Sequence, residues 1–216
     1  MPTRHCKRLA RTARGLFACF AALLLSHCAQ LPGPAPSAPI NQQAHEQRLR
    51  AIKHWQLQAK VGLRSATQNG SARLNWQQAP GDFKISLSGP LGQGRVELTG
   101  NANGVVLTQP DSPTLHAASA EQLLYQQTGW NLPVSLLTDW LLGLPALALP
   151  VDDLTRNKNG LLSDLSQAGW QLKYSDYRSV KTVFLPSKII ATRTLEDQQS
   201  VRLVIAVYDW HISHKP

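Results

Sequence analysis

"WQLQAKVGLR", residues 55–64, changes character at almost every step. Trp55, Leu57, Ala59, Val61 and Leu63 occupy alternate positions, and Gln56, Gln58, Lys60 and Arg64 stand among the positions between them. A period of two is the spacing at which an extended chain sends side chains to one face, so this is a strand with a core side and a water side. Shorter runs of the same kind follow around Ala72–Trp76, Phe83–Leu87, Arg95–Leu98 and Val105–Leu107. Gly70, "APGD", "GPLG" and "NANG" separate them, at the spacing of an antiparallel meander.

The period then turns helical twice. Ser119 is placed to cap a helix, with Gln122 three residues on and Leu123, Leu124 and Gln127 continuing it. Pro133 opens a second helix in which Val134, Leu137, Leu141 and Leu144 share a face that Leu136 and Trp140 widen, and Gly143 and Pro145 stop it. Strands resume at about Leu161–Leu165, Trp170–Tyr174, Lys188–Leu195 and Ser200–Val207. About nine to eleven sided strands with two apolar helices inserted midway fit a mainly β fold. The expected architecture is an unclosed antiparallel β-barrel covered by an α-helical lid.

Before Trp55, "QQAHEQRLRAIK" (residues 42–53) is compatible with a weakly amphipathic helix. Upstream lies "AQLPGPAPSAPINQQ", whose Pro32, Pro34, Pro36 and Pro39 favour extended polyproline geometry. As a spacer it could reach about 45 Å. The chain opens with Arg4, Lys7, Arg8, Arg11 and Arg14, followed by the apolar run "GLFACFAALLL", residues 15–25. That run is too short for a bilayer span and suits the apolar part of a secretory leader. The expected division is a signal peptide over 1–27, a proline-rich tether over 28–44 and an unclosed barrel over 45–216.

Net charge is +9, but the leader holds five of the 22 basic side chains and none of the 13 acidic ones. The remaining mild positive balance favours anionic surfaces such as lipid headgroups. No Lys/Arg cluster interleaved with aromatics points to nucleic acid. The three cysteines, Cys6, Cys19 and Cys28, all fall at or before the tether, so the exported domain must be held by packing rather than disulfides. Cys28 closes "LLSHC" directly after the apolar run, in the manner of a lipidation signal, although His27 stands where a small residue is usual. Ala29 rather than Asp after it points to the outer membrane.

Reacting groups are hard to find. The domain has no cysteine nucleophile and no Gly-x-Ser-x-Gly elbow, and "GQG" lacks the glycine and lysine of a phosphate loop. His211 and His214, three apart on a strand, would face opposite sides; Asp152 and Asp153 read as a solvated loop, and His116 near a helix start has no nominated partner. No catalytic residue, no metal site and no cofactor is expected beyond an acyl group on Cys28.

The "GPLG" turn carries an oddity. Pro90 suits the second position of a tight turn and Gly92 the fourth, which leaves Leu91 pointing outward. From the turn alone Leu91 either folds back on its own hairpin or is presented to a bilayer, where full burial would be worth about 1.5–3 kcal/mol.

"TGWNLPVSLLTDWLLGLP" (residues 128–145), with "NWQQ" (75–78), the "GPLG" turn and the lipidation-like Cys28, resembles the LolB family of outer-membrane lipoprotein receptors. The resemblance runs from the leader to "YDWHI" near the C-terminus, and its specific part is Trp140-Leu-Leu-Gly-Leu-Pro145. It implies an open barrel with an apolar interior and a helical lid. Such a protein takes acylated lipoproteins from a LolA-type periplasmic carrier and inserts them into outer-membrane lipid, acting as a monomer without nucleotide or metal. The candidate cavity is then Trp55, Leu57, Val61, Leu74, Trp76, Phe83, Ile85, Leu87, Val96 and Leu98, with Leu137, Trp140 and Leu141 from the lid. The competing expectation is a structural or assembly lipoprotein without a lipid cavity.

Overall fold

The computed structural model describes residues 33–66, 69–89, 94–129, 131–195 and 199–213. Helix α1 (Gln42–Arg50) begins where Asn41 caps it, its side-chain oxygen accepting the Ala44 N–H at 3.0 Å. Six strands follow: β1 (His54–Arg64), β2 (Asn69–Ala79), β3 (Asp82–Ser88), β4 (Val96–Asn101), β5 (Gly104–Thr108) and β6 (Leu115–Ala117). Helices α2 (Ala120–Thr128) and α3 (Val134–Trp140) come next. The chain then makes β7 (Asp153–Arg156), β8 (Leu162–Gln167), β9 (Trp170–Val180), β10 (Val183–Thr194) and β11 (Ser200–Ser213).

All these strands form one antiparallel sheet in the order β6-β5-β4-β3-β2-β1-β11-β10-β9-β8-β7. Two meanders are joined by the β1–β11 pair, and β6 and β7 are the free edges. The sheet is therefore open, and α2 and α3 lie in the connection that carries the chain from one edge to the other. The alternation read from β1 is what the structure shows: Trp55, Leu57, Ala59, Val61 and Leu63 are buried. Ser119 caps α2 by accepting the Gln122 N–H at 3.2 Å, and Gly129 ends it in the left-handed region that glycine tolerates best.

Two parts of the sequence reading need adjustment, the edge strands and β10. Edge strands β6 and β7 are short and polar enough to escape pattern reading, and Asp153, expected in a loop, starts β7 with its side chain exposed. His116 lies in β6, shortly before α2 begins at Ala120 as expected, and is exposed. Strand β10 begins at Val183, five residues before the expected Lys188, and runs through Pro186. Proline is tolerated there because β11 pairs with β10 only from Lys188 onward, so the first part of β10 has a strand neighbour on one side alone. Helix α1 fills part of that gap, with the Phe184 N–H donating to His45 Nε2 at 3.0 Å.

The described part of the proline-rich stretch is attached to the domain. Ser179 N–H donates to the Gly33 carbonyl at 3.2 Å, Asn159 Nδ2 donates to the Pro36 carbonyl at 2.9 Å, and Ile40 N–H donates to the Asn159 carbonyl at 3.0 Å. Gly33 is close to Ser179 in a way that leaves no room for a Cβ. Residues 33–41 thus form a docked strap rather than a free spacer. The leader and Cys28 lie outside the described residues.

Candidate functional site

Cross-strand register assembles the apolar positions into continuous rows. Leu57 stands opposite Trp76, Trp76 opposite Ile85, Ile85 opposite Leu98, and Leu98 opposite Leu107. A second row places Ala59, Leu74, Leu87 and Val96 side by side. Across the β1–β11 junction, Leu63, Leu203, Ala191, Leu172, Leu165 and Leu154 continue the surface to the far edge. Such pairs are the units of sheet stabilisation, and here they also make one uninterrupted apolar lining. Tryptophans widen it: the Trp55 ring lies 5.6 Å from Trp76 and 5.5 Å from Trp210. Gly100 leaves the space into which the Phe83 ring folds, since a Cβ there would overlap the ring.

Against this lining pack Leu123 and Leu124 of α2, and Val134, Leu137, Trp140, Leu141 and Leu144 of the α3 region. Trp140 has no exposed surface and meets Trp170 at 6.5 Å, edge to face. Glu121 of α2 accepts the Ser135 N–H of α3 at 2.8 Å, tying the two helices together. The far side of α3 is held by Gln167, which is wholly buried at the end of β8. Its Oε1 accepts the Trp140 indole N–H and the Ala146 N–H, both at 2.9 Å. Its Nε2 donates to the carbonyls of Ala146 at 2.8 Å and Leu149 at 2.9 Å. All four hydrogen-bonding positions of this amide are used.

Twelve of the thirteen residues expected to line the interior are buried in this core, and Phe83 is packed at its margin. The structure brings them together; it shows them packed rather than standing around an empty space. Openings occur at the margins. One cavity of about 350 Å³ lies between Leu63, Tyr125, Trp170 and Leu195, and another of about 380 Å³ reaches Trp55, Gln78 and Phe83. Pro90, Leu91 and Gly92, expected at a membrane-contacting tip, lie outside the described residues, as does His214. His211 is exposed on β11. Among the described residues no three His, Cys, Asp or Glu side chains gather as a metal site, and no helix is long and apolar enough to cross a membrane.

Pattern reading missed the contribution of the second meander, where Tyr174, Tyr177, Leu185 and Ile189 are buried. It also missed Gln167, because a glutamine in a strand looks like a solvent-facing residue. Burial drives the hydroxyls of Tyr174 and Tyr177 far from ionisation, and Tyr177 donates to the Leu162 carbonyl at 2.8 Å.

The family model described as "Outer membrane lipoprotein LolB" matches residues 53–210, from just before β1 almost to the end of β11. The chain belongs to the LolB family. Outer-membrane lipoprotein LolB of Cellvibrio japonicus (strain Ueda107) is 42% identical over 202 residues, which covers 90% of this chain and 96% of that protein. The LolB of Nitrosococcus oceani is 38% identical over 192 residues, covering 88% and 93% respectively. In structure, a LolA superfamily protein from Nitrosomonas europaea superposes with a TM-score of 0.51 at 10% identity, over 82% of this chain and 96% of that one. At that identity the likeness speaks for the fold alone. The docked strap, residues 33–41, precedes the stretch that the LolB model matches.

Proposed function

We propose that this domain receives acylated lipoproteins from a LolA-type periplasmic carrier, holds their acyl chains against its apolar lining and releases them into the outer membrane. The observation that supports it best is the lining itself, unbroken across the sheet and covered by helices tied to each other and fastened at one end. Acyl chains would replace the α2–α3 side chains on that lining as the helices move away, with the Gln167 end as the fixed side. Each methylene transferred from water to the lining contributes about 0.8 kcal/mol, so long chains make a small difference in fit decisive for direction.

The same proposal has Cys28 acylated, the domain facing the periplasm, and Leu91 as the tip that meets lipid during release. The proposed cycle is one of binding and transfer and includes no covalent step.

A photoreactive benzoylphenylalanine tests the interior. Placed at Leu137, it is expected to crosslink to the acyl moiety of a lipoprotein handed over by the carrier; placed at exposed Tyr208, it is expected not to. Crosslinking from Tyr208 and not from Leu137 would put the cargo outside the barrel and favour an assembly lipoprotein. Leu91→Glu separates the two halves of the cycle. Acceptance from the carrier should stay near normal, while transfer into liposomes slows, because a carboxylate resists leaving water. Loss of both steps would place Leu91 in the cavity.

A further inference from the structure

The loop after α3 displays apolar side chains on a backbone that is fixed. Leu147 is 76% exposed, Leu149 41% and Val151 43%, so three of the six large exposed apolar residues described fall within five positions. Their exposure is not the consequence of a loose segment. Gln167 holds both backbone groups of Ala146 and the carbonyl of Leu149. Asp139 accepts the Leu147 N–H at 3.4 Å, and the Asp152 N–H donates to the Ser166 carbonyl at 2.9 Å. A buried amide therefore spends three of its four bonds on presenting leucines to the outside.

A second observation says what meets them. The strap is docked from Gly33 onward, and Gly33 is five residues after Cys28. Five residues span at most about 18 Å. If Cys28 carries the acyl anchor, as the proposed function has it, Gly33 is held within about 18 Å of the bilayer, close enough for a face of the domain to rest there.

We propose that the rigid Leu147–Leu149–Val151 loop is the face on which the anchored domain rests against phospholipid, with the docked strap setting the distance. The inference depends on acylation of Cys28 and goes beyond it by assigning a contact surface. The exposed acids Asp152 and Asp153 end the apolar stretch and stay at the water side of the headgroups.

The chain suits a direct test because its three cysteines all lie at or before position 28, so a new thiol in the mature acylated protein can be labelled alone. Leu147→Cys and Leu195→Cys are each coupled to a polarity-sensitive nitrobenzoxadiazole dye. Leu195 is a suitable control because it is also exposed but sits at the β10–β11 turn. The labelled proteins are reconstituted into phosphatidylethanolamine vesicles containing a minor fraction of phosphatidylglycerol and nitroxide-bearing lipid. The expected result is a blue-shifted, nitroxide-quenched dye at position 147 and a water-like, unquenched dye at position 195.

A vesicle-bound protein with a water-like dye at 147 overturns the proposal. So does burial of the dye at 195 instead, which would seat the domain on its β10–β11 turn, and so does a change at 147 that appears only when the carrier is added, which would make the loop a protein-binding surface. Failure of the unlabelled protein to float with vesicles has a different meaning, since it removes the acyl anchor and with it the distance constraint. As a second readout, Leu147→Glu with Leu149→Glu should cut nitroxide quenching of a dye at Val151→Cys by about tenfold, while far-ultraviolet circular dichroism is unchanged.

Discussion

The Trp140 indole N–H donates to Gln167 Oε1 at 2.9 Å, inside a core where both side chains have no exposed surface. This bond joins the covering helix to the edge of the sheet, and the same amide fastens the following loop. Two independent regions of the sequence, 27 residues apart, meet at this buried polar point.

Replacing Gln167 with leucine keeps the volume and removes every partner. The Trp140 and Ala146 N–H groups and two carbonyls would be left without bonds, each costing about 1–3 kcal/mol where water cannot reach. Because the site can relax toward solvent on the loop side, we expect a total loss of about 3 kcal/mol, read as a lower urea midpoint with little change in slope. A loss below about 0.5 kcal/mol would mean that the bonds are replaced by water.

His45 gives a pH dependence with a definite sign. Its Nε2 accepts the Phe184 N–H, so the folded state holds the neutral ring. Burial, and then the nearby Arg48 and Arg156, lower its pKa below the ordinary value of 6.5, and Glu46 only partly offsets them. As pH falls below 6.5 the unfolded chain takes up a proton that the folded one refuses, so stability is lost on acidification toward the depressed folded value. Urea midpoints measured between about pH 7.5 and 5.5 should decline in the unaltered protein, and His45→Gln should flatten that decline. Equal slopes in both would show that other groups carry it.

Much of this was legible in advance because water and core impose a period on any half-buried strand. Trp55–Leu63 declares its buried face outright, and Ser119, Pro133 and Gly143 mark helix ends by their own backbone chemistry. What could not be read depends on tertiary partners. Pro186 looks like a strand breaker until β11 is seen to pair only beyond it. Gln167 looks solvated until a tryptophan and a loop backbone occupy its amide. The strap looks like a free spacer because polyproline geometry has no internal bonds, and only Asn159 and Ser179 reveal where it docks.

Phe83 and Gly100 offer a packing test. They are cross-strand partners, and the ring of Phe83 occupies the volume where a Cβ of residue 100 would be. Gly100→Ala must push the ring outward, which should cost about 1–3 kcal/mol. Phe83→Leu should lose stability alone yet relieve much of the Gly100→Ala penalty. A double-mutant cycle should therefore give a coupling of about 1 kcal/mol or more, whereas additive effects would show that the ring moves aside freely.

Tyr174 is the last test, because it sets stability against binding. Its hydroxyl is buried with no hydrogen-bond partner among the described residues, and burial raises its pKa well above that of a free tyrosine. An orphaned hydroxyl costs more than it contributes, so Tyr174→Phe should leave the empty protein equally stable or raise its stability by about 1 kcal/mol. If the hydroxyl finds its partner in the ester or amide carbonyls of a lipoprotein, the same variant should hold cargo less tightly. Thermal unfolding of the empty protein and retention of acylated cargo on dilution measure the two effects separately. A stability loss above about 1 kcal/mol would place an ordered water on the hydroxyl. Gained stability with unchanged retention would mean that the acyl chains pass Tyr174 without contact, and the polar end of the cargo would then have to lie elsewhere, for which the cavity beside Trp170 and Leu195 offers room.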